Sequence, residues 1–164
     1  MKKRVYIETS IVSYLTARPS RDLLAAAWQE ITTAWWDRRR QDFELYTSEL
    51  TVEESSGGDA IAAQRRLESL QSLPLLEITD SALALAEVLV NAGAIPGNAA
   101  GDALHVALAT VHRMDYLLTW NCRHIDNAEM MPAIRAVALS SGYSLPEICT
   151  PQELMGEEAE TDEG

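Results

Sequence analysis

Short apolar runs alternate along this chain with longer stretches in which apolar residues recur every three or four positions. Residues 5–7, 43–47, 74–78, 116–120 and 146–149 are rich in Val, Ile, Leu, Tyr and Phe and are bounded by polar or Pro residues, so they are predicted as five short strands. Helical spacing fills the intervals. Ile11, Tyr14 and Leu15 share one face, with Thr9 and Ser10 ahead of them as expected caps. Leu23, Ala26, Ala27, Trp28, Ile31, Ala34 and Trp35 follow a cap at Asp22, and that helix is expected to end in Arg38, Arg39 and Arg40, whose charge suits a helix C-terminus. Ser48 is placed to cap a helix beginning at Glu49. Gly57 and Gly58 interrupt it, and residues 60–73 resume helical spacing. Asp80 is expected to start a helix through Ala82, Leu83, Ala86 and Leu89, and Asp102 to open a strongly apolar one. A last helix carries Met131, Ile134, Val137 and Ala138 and stops at Gly142.

Strand and helix alternate from end to end. That order implies an α/β fold, a mainly parallel sheet covered by helices on both faces. The length of 164 residues suits one domain with a proper core, and an apolar share of 47% suits a folded one. No run of about 18 apolar residues is present to span a membrane. The opening Met1-Lys2-Lys3-Arg4 runs straight into a strand without the features of a signal peptide, so a cytoplasmic protein is expected. Cys122 and Cys149 have no metal-type spacing and are expected as unpaired thiols.

The net charge of -12 disfavours indiscriminate binding to nucleic acid. Its distribution is uneven. Residues 155–164 carry Glu157, Glu158, Glu160, Asp162 and Glu163 with no basic residue, and are expected to form a solvated, disordered tail beyond a packed domain of residues 1–154. The body keeps basic groups at Lys2-Lys3-Arg4, Arg38-Arg39-Arg40, Arg65-Arg66 and Arg123-His124, so net charge does not exclude a nucleic-acid substrate.

In open α/β sheets ligands bind outside the carboxyl ends of the strands. That rule selects Glu8, Ser48, Glu49 and Asn121, together with Glu54 and Asp102 on helices that start nearby. No glycine-rich phosphate loop and no nucleophile elbow accompanies them. His105, His112 and His124 have no partner at metal-ligand spacing. The remaining chemistry is that of clustered carboxylates, which repel each other unless a cation joins them; oxygen donors favour Mg²⁺ or Mn²⁺. Such an ion activates water and stabilises attack on a phosphodiester. Each residue also has a plain reading: Glu8 as a loop residue or helix cap, Asp102 as a cap or first-turn residue, Glu49, Glu53 and Glu54 as a solvated helix start. Trp28, Trp35 and Trp36 read as core or interface rather than as a base-stacking platform.

Several motifs together resemble PIN-domain proteins, in particular the VapC-like toxins of type II toxin–antitoxin systems. Tyr6-Ile7-Glu8-Thr9-Ser10 looks like the first motif, Ser48-Glu49-Leu50-Thr51-Val52-Glu53-Glu54 like the second, Gly101-Asp102-Ala103-Leu104-His105 like the third and Leu117-Leu118-Thr119-Trp120-Asn121 like the fourth, and Thr150-Pro151-Gln152-Glu153-Leu154 resembles the usual ending. The resemblance implies a PIN-like α/β/α sandwich and an Mg²⁺- or Mn²⁺-dependent ribonuclease that cuts RNA with a metal-activated water. Glu8, Glu54 and Asp102 would hold the metal directly or through water, and Asn121 would stand where a fourth acidic residue is common. It also implies a cognate antitoxin offering a basic side chain, and a homodimer for which the tryptophan-bearing helix would supply apolar surface. Two positions depart from the pattern. Glu8 replaces the usual Asp and reaches one methylene further; Asn121 keeps an oxygen and loses a charge, which weakens a Mg²⁺ site. A degenerate module that binds RNA or protein without catalysis is the alternative, and a metal-dependent phosphatase or DNA nuclease a third reading.

Overall fold

The computed structural model describes residues 1–156. The acidic tail expected over 155–164 therefore lies, from residue 157 onward, outside the described residues. The strands are β1 (Lys3–Ile7), β2 (Phe43–Ser48), β3 (Leu75–Leu76), β4 (Tyr116–Leu118) and β5 (Glu147–Cys149). The helices are α1 (Thr9–Thr16), α2 (Leu23–Arg39), α3 (Glu49–Ser55), α4 (Ala60–Leu70), α5 (Asp80–Asn91), α6 (Ala100–Val111) and α7 (Met131–Ser140). The strands form one parallel sheet in the order β3-β2-β1-β4-β5, with Val5 opposite both Leu45 and Tyr116. From β1 the chain winds outward to β3, then returns to the other side of β1 to add β4 and β5. The strand order thus reverses between β1 and β4, and the crevice beyond their carboxyl ends is where such sheets bind ligands.

Alternation along the strands divides the core into two layers. Tyr6, Leu117 and Ile148 point toward α5, α6 and α7, where they meet Leu85, Leu89, Ala103, Val106 and Ile134. Val5, Ile7, Leu45, Leu118 and Cys149 point the other way, toward Ile11, Val12, Trp35, Trp36 and Leu70 of α1, α2 and α4. Both layers are apolar, as a fully covered parallel sheet requires.

Several expectations need correction. The expected strand over 74–78 shrinks to two residues, because it lies at the edge and pairs only with the end of β2. Helix α4 ends at Leu70 rather than Leu73. Helix α5 starts at Asp80 as expected, and its cap is Thr79, whose hydroxyl oxygen accepts from Ala82 N at 3.2 Å. Thr9 and Ser10 lie inside α1, whose cap is Glu8. Trp35 and Trp36 face the core, at 0% and 8% exposed, so the apolar surface this helix leaves open is carried by Leu23 and Leu24 rather than by those two tryptophans. The caps at Asp22 and Ser48 are formed as expected, and Gly142 ends α7 with φ +86°. Among the described residues no helix is long and apolar enough to cross a membrane.

Many basic groups have structural work. Arg4 donates to the carbonyls of His112 and Arg113, Arg39 pairs with Asp42 at 2.7 Å, Arg40 stacks over Trp36, and Arg66 donates to the carbonyls of Ser55 and Gly57. Both cysteines are free, and burial pushes the Cys149 thiol up to about 12, helped by nearby Glu153, Asp126 and Glu147.

Candidate metal centre

Glu8 is the first residue past β1, in extended backbone, with its carboxylate folded back over the start of α1. Its Oε2 accepts from Ser10 N at 2.8 Å. Its Oε1 accepts from Ser10 Oγ and from Thr119 Oγ1, each at 2.6 Å. Thr119 follows β4, so this bond crosses the crevice where the strand order reverses. Trp120 N donates to Ser10 Oγ at 2.8 Å and Asn121 N to Thr119 Oγ1 at 2.9 Å, which ties the backbone after β4 to the same group. Glu8 is only 4% exposed, with both oxygens taken by donors at short range.

Glu54 lies in the last turn of α3, at the rim. Its Oε1 accepts from Thr9 Oγ1 and from His105 Nε2, each at 2.5 Å. Its Oε2 faces Gly101, the residue before Asp102: a Cβ on that glycine would sit 3.6 Å from it. This contact brings α3 and α6 together at their polar ends. Burial works against charge on Glu54, but the hydrogen bond and charge of His105 and the Thr9 hydroxyl outweigh it and hold the carboxyl below its ordinary range. Glu53, the neighbouring alternative, is exposed and enters no side-chain hydrogen bond among the described residues.

Asp102 is the third residue of α6. The cap position belongs to Ala99, which offers no side-chain cap, and Asp102 does not fill that role. Its Oδ2 instead meets His124 Nδ1 at 3.1 Å. Asn121 shapes the loop that carries His124: its Oδ1 accepts from His124 N at 3.0 Å, and its backbone carbonyl accepts from Ile125 N and Asp126 N. Asn121 thus reaches the site through His124.

The sequence-selected residues therefore divide. Glu54 lies against Gly101, the residue before Asp102; Glu8 is a hydrogen-bonded cap, and Asn121 organises the loop whose His124 meets Asp102. Among the described residues no three His, Cys, Asp or Glu side chains converge closely enough to enclose an ion by themselves. The donors nevertheless fit a hard divalent cation. Glu54 Oε2 and Asp102 Oδ1 are carboxylate oxygens with no hydrogen-bond donor among the described residues, and Mg²⁺ is commonly held by one or two carboxylates with water and substrate phosphate completing its shell. Thr9, Tyr6, Ser10, Thr119, His105 and His124 were not selected from the sequence. One available signal was spacing: His105 is three residues after Asp102, on the same face of a helix.

The chain belongs to the PIN domain family, whose model matches residues 5–129, from the first strand to the loop after β4. PIN domains are generally nucleases and generally use divalent metals. No curated protein matches the chain.

The loop ending at Asp126 carries a second acidic contact. Asp126 and Glu153 share a hydrogen bond; burial, then the charge of Glu153 and that bond, push the Asp126 carboxyl from 3.8 to about 6. The folded chain therefore holds a proton that the unfolded chain has released between those values, so this group's contribution to stability falls as pH rises through 6. Asp126→Asn is expected to stabilise the protein by roughly 1 kcal/mol near pH 7.5 and by almost nothing near pH 4, the small size reflecting water at the exposed Glu153. Urea unfolding at the two pH values checks it.

Proposed function

We propose that this chain is a divalent-metal-dependent endoribonuclease, the toxin of a type II toxin–antitoxin pair. The observation that carries this reading is Glu54 packed against Gly101, next to Asp102, in a PIN fold, with one oxygen of each carboxylate left without a hydrogen-bond donor among the described residues. Those two residues would hold Mg²⁺ or Mn²⁺. When bound, the ion supplies a Lewis acid for phosphate oxygens and lowers the pKa of a coordinated water. Thr9 and His105 orient the Glu54 carboxylate; His124, fixed by Asn121, orients that of Asp102. Glu8 keeps the corner between β1 and α1 in place. Arg123 is exposed beside His124 and offers a charge to the RNA backbone. The acidic rim suits a basic side chain of an antitoxin, and Leu23 and Leu24 offer apolar surface for pairing of two copies.

The test is cleavage of a labelled mixed RNA pool with Mn²⁺, Mg²⁺ or EDTA by wild type and Asp102→Asn. Cutting that requires the ion and falls by on the order of 100-fold in the variant is the expected result. Folded, antitoxin-free wild type that cuts nothing with either ion would replace this reading with a module that binds RNA or protein without catalysis. That second reading draws on Glu8, whose oxygens are already occupied, and on Asn121, which brings no charge.

A further inference from the structure

A chain of buried polar groups runs beneath Glu54. Ser48 Oγ, at the end of β2, lies 2.7 Å from the Tyr6 hydroxyl, which lies 2.6 Å from His105 Nδ1; His105 Nε2 then lies 2.5 Å from Glu54 Oε1. Thr51 Oγ1 makes a further contact with Tyr6 at 3.3 Å. Tyr6 is 0% and His105 1% exposed. A carboxylate only accepts hydrogen bonds, so His105 Nε2 carries the proton in that contact. The members come from β1, β2, α3 and α6, so their positions are set by the packed core and not by the rim. A glutamate side chain has three rotatable bonds, and at the end of a short helix it would otherwise sample several rotamers.

We propose that His105, braced by Tyr6, is a positioning residue that fixes the Glu54 carboxylate with Oε1 engaged and Oε2 left free, the oxygen that would be offered to a divalent ion. The inference rests on the metal reading above and deepens it. His105 is buried and would act on the ion only through Glu54. It presents a pre-oriented ligand, as the hydrogen-bonded partners of metal-bound carboxylates do. Burial pushes the Tyr6 hydroxyl well above its ordinary range.

The experiment measures Mn²⁺ binding to the full chain by titration calorimetry, without RNA, for wild type, His105→Leu, His105→Gln, Tyr6→Phe and Thr9→Val. Loss of the His105 donor is expected to weaken Mn²⁺ binding by about 10- to 100-fold. Gln places an N–H donor near the position of Nε2, so His105→Gln should recover most of that loss. Tyr6→Phe should weaken binding by a smaller factor, on the order of 3- to 10-fold, because it acts one bond further away. Thr9→Val removes the other donor to Oε1 from a partly exposed position, so it tests the same carboxylate in a folded chain even where His105→Leu fails to fold, and should also weaken binding. Wild-type affinity in Thr9→Val and in every folded His105 and Tyr6 variant, with only the melting temperature lowered, would reduce the chain to a core contact and overturn the proposal while leaving the metal reading intact. No Mn²⁺ binding by folded wild type would overturn the metal reading and this inference with it.

Discussion

Glu8→Ala is expected to destabilise the domain by about 3–4 kcal/mol. The variant removes the cap of α1 and the acceptor for three donors in a place water reaches poorly. A lost cap alone costs about 1 kcal/mol. Leaving buried donors such as Ser10 N and Thr119 Oγ1 without an acceptor adds roughly 1–3 kcal/mol. Glu8→Gln keeps one acceptor oxygen, but its NH₂ group faces a donor at one of the two positions, so a loss of about 2 kcal/mol is expected. Glu8→Asp still caps the helix yet reaches one methylene less far, so it gives up the bond to Thr119 and keeps the one to Ser10 N; about 1 kcal/mol is expected. Urea unfolding of the series checks the order Ala, Gln, Asp. A flat series would show that the three hydrogen bonds contribute little.

Trp35→Ala is the second large effect, with an expected loss of about 4–5 kcal/mol. The ring is fully buried in the layer between the sheet and α2, stacks on Phe43 with centroids 5.9 Å apart, and donates from Nε1 to the carbonyl of Leu154 at 3.1 Å. The cavity accounts for most of the loss. The hydrogen bond adds a local consequence, because Trp35 and Arg39 both reach the Leu154 carbonyl and so hold the segment after β5 against the domain. Trp35→Phe should restore most of the stability while exposing residues 150–156 to proteolysis. Mass spectrometry of limited digests reads the second effect, and unfolding curves read the first.

How much of this was legible in the sequence depends on how local each cause is. The strands at residues 5–7 and 43–47, the caps at Asp22 and Ser48 and the stop at Gly142 follow from composition and nearest neighbours, and they stand where the pattern put them. The parallel sheet followed from alternation alone. The edge strand was overestimated because an apolar run does not reveal how many partners it will find. Trp35 and Trp36 read equally well as core or interface, since helical spacing marks an apolar face without saying what covers it. The role of Glu8 was least legible. Its acidic character and its place at a strand end were plain, but the hydroxyl that binds it, Thr119, lies 111 residues away. The same holds for His105, whose partners Tyr6, Thr9 and Glu54 are brought to it only by tertiary packing.

That long separation has a consequence for the order of events during synthesis. β1 is made first and occupies the middle of the sheet, but one of its two neighbours, β4, is made more than a hundred residues later. Until then one edge of β1 lacks its partner, Glu8 lacks the hydroxyl of Thr119, and Asp102 lacks the loop that carries His124. Contacts this distant in sequence form late and together, because the closure entropy of the intervening chain must be overcome before they reward it. A nascent chain therefore has no assembled carboxylate site while most of it is still being translated. Assembly waits until residues 116–124 have left the ribosome, so Glu8 and Asp102 gain these partners only late in synthesis.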